Sequence, residues 1–81
     1  MIVVILPSLL AGEAGGRNRF EVHAATVEEA LQSLPVADRL FDERGALRPL
    51  VNVYVDGNPA GVDAPLNGDE EVRLVAAIAG G

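Results

Sequence analysis

The chain has 81 residues, with 12 acidic and 6 basic side chains and a formal net charge of −6 at pH 7. All the basic residues are Arg; there is no Lys and no Cys. That length fits one domain, built from one sheet with a helix or two and without a deep enclosed cavity, and the missing Cys excludes disulfides, thiolate zinc sites, iron–sulfur clusters and a Cys nucleophile. An apolar fraction of 49% beside 22% charged residues suits a folded domain rather than a disordered one. The acidic balance argues against nucleic acid and membrane surfaces as partners and for proteins with a basic docking face. Such attraction predicts association that slows as salt rises.

Met1-Ile2-Val3-Val4-Ile5-Leu6 is rich in β-branched residues and stops at Pro7, which predicts a buried first strand. The run is too short to span a bilayer and lacks the leading positive charge of a secretory signal, so a cytoplasmic protein is expected. Leu9 to Gly16 carries three glycines without alternation and is expected to be a loop. Arg19-Phe20-Glu21-Val22-His23 alternates polar and apolar, the pattern of a half-buried strand with Phe20 and Val22 inward.

Thr26-Val27-Glu28-Glu29 matches a capping box, in which the Thr26 hydroxyl accepts from the Glu29 amide and the Glu29 carboxylate reaches back to Thr26. Val27, Ala30, Leu31 and Leu34 then form one helical stripe. Pro35 stops that helix and is expected to open a second short one through Val36, Leu40 and Phe41, ended by Gly45 in a left-handed conformation. Val51-Asn52-Val53-Tyr54-Val55 is the clearest strand, with the valines on one face and Asn52 and Tyr54 on the other. Asp56-Gly57 is a turn signal, and Asn58 to Gly68 allows only a very short strand. Glu71 to Ile78 is the last strand, before Ala79-Gly80-Gly81.

This order predicts an α+β fold, a β-grasp (ubiquitin-like) mixed sheet with one main helix and a short second helix. Residues 1–78 form the domain and residues 79–81 a flexible Gly-Gly tail. The first and last strands are expected side by side at the centre, because both are strongly apolar.

Side-chain chemistry is sparse. His23 is the lone histidine and lies on the polar side of its strand, where a solvated residue is expected rather than a catalytic base. Asp69-Glu70-Glu71 lacks the alternating ligand pattern of a calcium loop and reads as a solvated acidic turn. Gly12 to Gly16 has no phosphate-loop pattern. No catalytic residue, resident cofactor or metal is expected. The Gly80-Gly81 end offers something else: two residues without a Cβ can thread a narrow channel and present the Gly81 carboxylate to another protein's active site.

Leu47-Arg48-Pro49-Leu50-Val51-Asn52-Val53-Tyr54-Val55-Asp56-Gly57, the turn Leu66-Asn67-Gly68-Asp69-Glu70-Glu71-Val72 and the end Ile78-Ala79-Gly80-Gly81 resemble the ThiS/MoaD family of ubiquitin-like sulfur carriers. The resemblance covers nearly the whole chain. It implies a carrier rather than an enzyme, a substrate of an E1-like adenylyltransferase that uses ATP and magnesium. Gly81 matches the glycine that becomes an adenylate and then a thiocarboxylate; Ile78, Ala79 and Gly80 match the tail that enters the partner's channel. The implied partners are that adenylyltransferase, a sulfur donor (a sulfurtransferase or desulfurase) and a sulfur-accepting biosynthetic enzyme. Molybdopterin-type members often carry prolines where this chain has Ala76-Ala77, and thiamine, molybdopterin, cysteine and specialised-metabolite branches all remain open.

The alternatives are a ubiquitin-like modifier conjugated through the same glycine and a passive β-grasp interaction module. With no Lys, isopeptide linkage between copies of this chain is excluded, and the N-terminal amine is the remaining acceptor. The expected partner surface is the exposed face of the terminal strands plus the tail, with Leu74 or Phe41 as anchor.

Overall fold

β-branched residues at alternate positions pair readily into a sheet, and the computed structural model, which describes residues 1–76, shows them doing so. β1 (Ile2–Ile5) and β2 (Arg19–Val22) form an antiparallel pair in which Val4 faces Phe20. β3 (Val51–Val55) turns through Asp56 and Gly57 into the short β4 (Asn58–Ala60), and β5 (Glu71–Ala76) closes the sheet. The strand order is β2-β1-β5-β3-β4, with β1 and β5 parallel and the other pairs antiparallel. The expected central pairing of the first and last strands is therefore found. Pro59, which cannot donate to a ladder, sits on the edge strand β4.

One face of the sheet is covered. Ile2, Val4, Phe20, Val53, Val72 and Leu74 pack against the helix α2 (Val27–Gln32), which contributes Val27, Ala30 and Leu31. Leu34, Val36, Leu40, Phe41 and Leu66 complete the core. Among the described residues no polar or charged side chain is buried, so the core holds by apolar packing alone. The capping box forms in part: the Glu29 amide donates to Thr26 Oγ1 at 3.2 Å, but the Glu29 carboxylate reaches one residue past Thr26, and its Oε1 accepts from the Ala25 amide at 2.9 Å. The Val27 and Glu28 amides donate to the carbonyls of Ala64 and Val62 at 3.0 and 2.9 Å, which ties the start of α2 to the segment after β4.

Two expectations are corrected. Leu9 to Gly16 is not all loop: α1 (Ser8–Glu13) is a helix, so the described residues hold three short helices. Its Leu10 and Ala11 amides donate to the Pro7 carbonyl, and Leu10, Ala11 and Ala14 share the side facing the core. The helix after Pro35 is also shorter than expected. α3 spans only Ala37–Leu40, Phe41 is already extended, and Pro35 lies in the preceding turn. Gly45 is left-handed at φ +83°, but it serves the next turn, where Asp42 Oδ1 accepts from the Arg44 and Ala46 amides. The carboxylate competes for amides that a continuing helix would have used.

The boundary expected between residues 78 and 79 lies outside the described residues. Among those described, no helix is long and apolar enough to cross a membrane.

Candidate functional site: the open sheet face and the end of the last strand

Among the described residues, no helix covers the sheet's second face. Side chains directly opposite one another on paired strands share a face, so the register defines its rows. One row runs Arg19, Ile5, Arg73, Tyr54, Pro59 across all the strands. The next holds Glu21, Val3 and Glu71. On the other side of the first row Asn52 stands opposite Val75. Val3 and Ile5 thus form an apolar strip between two ion pairs, Arg19–Glu21 at 3.1 Å and Arg73–Glu71 at 3.3 Å. Each pair is internally neutral, and the acidic turn of Asp69 and Glu70 adjoins the strip, where the Val3 amide donates to the Glu70 carbonyl at 3.1 Å.

Leu74 and Phe41, the expected anchors, are excluded by the structure: they are 2% and 6% exposed and belong to the core. Val75 is the large apolar residue that β5 does present, at 43% exposure, with Ile5 and Tyr54 half-buried diagonally beside it and Val3 farther along the same face. The alternation Glu71, Arg73, Val75 carried this signal, because Val75 shares parity with charged neighbours whereas Leu74 shares it with Val72. β5 ends at Ala76, opposite Val51. Gly81, the expected site of modification, and Ile78, Ala79 and Gly80 of the expected tail lie outside the described residues.

The start of β5 is fixed from both sides. Asp56 lies at φ +50° and Gly57 at φ +86°, the backbone of a tight hairpin turn. From there the Asp56 amide donates to the Glu71 carbonyl at 2.9 Å, and the Glu71 amide donates to Asp56 Oδ1 at 3.0 Å. One residue earlier, the Glu70 carboxylate accepts from the amides of Asn67, Gly68 and Asp69 at 2.7 to 3.2 Å. The Asn67 and Gly68 amides, in that order, hold the Glu70 carboxyl below its ordinary pKa, against a smaller opposing effect of desolvation. This explains the acidic turn as a structural device that sets where β5 begins.

The other candidates contribute no chemistry at this site. His23 is exposed, as expected, and lies one residue past the end of β2. Among the described residues, no group of His, Asp and Glu side chains could hold a metal ion.

No family model matches the chain, and no curated protein matches it. Solved structures do. SAMP1 from Haloferax volcanii is 31% identical, with 99% of this chain and 98% of that one covered at a TM-score of 0.81. CysO from Mycobacterium tuberculosis, described as an antigen, is 21% identical, with 96% and 100% covered at a TM-score of 0.84. A chain of the BexX/CysO complex from Amycolatopsis orientalis is 24% identical, with all of both chains covered at a TM-score of 0.82. The latter two establish the β-grasp, ubiquitin-like fold. The first goes further: the identity extends over nearly the full length of both chains, and this chain belongs to the family of small β-grasp proteins that includes the archaeal modifier SAMP1.

Proposed function

We propose that this protein is a sulfur carrier that acts through Gly81. What carries the reading is the position of β5. It lies between β1 and β3 at the centre of the sheet, and in sequence it is followed by a segment that ends Ile78-Ala79-Gly80-Gly81. A rigid strand beside an open, half-apolar face suits a domain that is gripped by an enzyme while its end enters that enzyme's active site. Support for a protein partner also comes from the related fold found in complex with BexX.

In this reading the chain is a substrate, not an enzyme. The Gly81 carboxylate attacks the α-phosphorus of magnesium-bound ATP in an E1-like adenylyltransferase, and pyrophosphate leaves. Sulfide then attacks the acyl carbon, AMP leaves and Gly81 carries a thiocarboxylate; where the sulfur arrives as the persulfide of a sulfurtransferase or desulfurase, AMP leaves an acyl disulfide, and a thiol cleaves its S–S bond to release the thiocarboxylate and a disulfide. A biosynthetic enzyme, of thiamine, molybdopterin, cysteine or a specialised metabolite, takes the sulfur and returns the carboxylate. Val3, Ile5, Tyr54 and Val75 form the docking face for the adenylyltransferase, and the whole cycle runs in the cytoplasm.

The 31% identity to a protein named as a small archaeal modifier favours a second use of the same adenylate, transfer to an amine of a target protein. Intact-mass analysis of the chain taken rapidly from its native cells separates the readings. Exchange of one oxygen for sulfur at Gly81 supports the carrier. High-mass covalent adducts linked through Gly81 support the modifier. A terminus that stays unmodified with ATP, the E1-like enzyme and sulfide leaves a passive interaction module.

A further inference from the structure

A second apolar feature lies on the other side of the sheet. Val51 and Ala76 stand opposite each other, two positions along from the core pair Val53 and Leu74, and so share the covered face. There, beyond the end of the core, α1 and the segment leading into β3 leave a groove of about 410 Å³. Leu9, Leu10, Leu50 and Val51 line it, together with Arg39 and Arg48. Leu9 and Leu50 are the two most exposed large hydrophobic residues of the described chain, at 60% and 55%.

The charge of the groove runs against that of the molecule. The chain carries −6 overall, yet two of its arginines stand here. Arg39 is shared with Glu13 at 3.5 Å, a contact that links α3 to α1. The Arg48 guanidinium is in none of the ion pairs or side-chain hydrogen bonds of the described residues. Its backbone is well held: the amide donates to the Leu40 carbonyl at 2.8 Å and the carbonyl accepts from the Val51 amide at 3.0 Å. A guanidinium beside an apolar groove fits a carboxylate that arrives with an apolar side chain.

We propose that this groove docks an acidic, leucine-bearing peptide segment of a partner protein. The apolar side chain lies between Leu9 and Leu50, and the neighbouring carboxylate pairs with Arg48. The groove and the open face are on opposite sides of the sheet, so a partner held here leaves Val3, Ile5 and Val75 free for another. The proposal stands independently of the sulfur chemistry at Gly81.

The test is a titration of the ¹⁵N-labelled full chain with the synthetic peptide acetyl-Glu-Asp-Leu-Leu-Glu-Asp-amide, followed by amide chemical shifts. Saturating shifts are expected at Leu9, Leu10, Leu50 and Val51, with Tyr54 and Val75 unmoved. Arg48→Glu should weaken binding by about tenfold or more, the scale of one charge-assisted contact. Leu50→Ala should weaken it too, and because both side chains are exposed both variants should keep the native spectrum elsewhere. No shift at millimolar peptide overturns the proposal, as does equal binding of the same peptide with Lys at every acidic position. Groove shifts caused merely by deleting residues 77–81 would assign the groove to the chain's own end. Shifts that depend on protein concentration alone would assign it to a second copy. Either result also overturns the proposal.

Discussion

Leu74 and Val75 are chain neighbours on β5 that face opposite sides of the sheet, at 2% and 43% exposure. Leu74→Ala empties a position enclosed by the core and should cost about 3 kcal/mol. A domain of this size holds roughly 8 kcal/mol in all, so the variant still folds. Its midpoint should fall by about 12–24 °C. Val75→Ala removes two methyl groups that are little more than half shielded, worth about 1 kcal/mol and a fall of about 4–8 °C. Thermal melts of the two variants beside the native chain, read by circular dichroism, test the difference. Activation by the E1-like enzyme at a temperature where all are folded should show the opposite ranking, with Val75→Ala impaired and Leu74→Ala near native. Equal melting losses, or a larger loss for Val75→Ala, would refute the assignment of the two faces.

Other substitutions probe the devices that place β5 and α2. Thr26→Ala removes the acceptor of the Glu29 amide and should cost about 1 kcal/mol in urea unfolding, whereas Thr26→Ser should keep most of it. Gly57→Ala places a Cβ at φ +86° and should cost roughly 1–2 kcal/mol, through backbone strain alone because open space surrounds the position. The Glu70 carboxyl is held below its ordinary pKa, so the stability it contributes is present above the unfolded-state pKa and is lost as pH falls through the lower folded-state value. Glu70→Gln should therefore be less stable than the native chain at neutral pH, with the gap closing on acidification in pH-dependent urea titrations. A gap that does not change with pH would count against this role.

Much of the fold was legible because its strands alternate cleanly. Val51, Val53 and Val55 on one parity and Asn52 and Tyr54 on the other define β3, and Thr26 with Glu29 marks the start of α2 without ambiguity. α1 was hidden by composition: Gly12 interrupts a six-residue helix whose core-facing residues are only Leu10 and Ala11, with Ala14 just past its end. The i, i+1, i+4 spacing of those residues was present, but it is too short a run to outweigh the glycines. The early end of α3 was unreadable for a different reason. It depends on where the Asp42 carboxylate points, and its Oδ1 takes two backbone amides at once in a way that spacing does not record. The anchors failed at the level of packing. Leu74 and Val75 are both large and apolar, and which of them faces outward follows from the register of β5 against β3; Phe41 lies off the sheet at the end of α3, and only the packing of that turn onto the core buries it.

Intact-mass spectrometry of the chain, purified rapidly from its native cells and fragmented to localise any change, tests the central claim most directly. The carrier account predicts replacement of one oxygen by sulfur at Gly81, and its disappearance when Gly81 is deleted. A Gly81 that stays a plain carboxylate, even after incubation with ATP, the E1-like enzyme and sulfide, would contradict it.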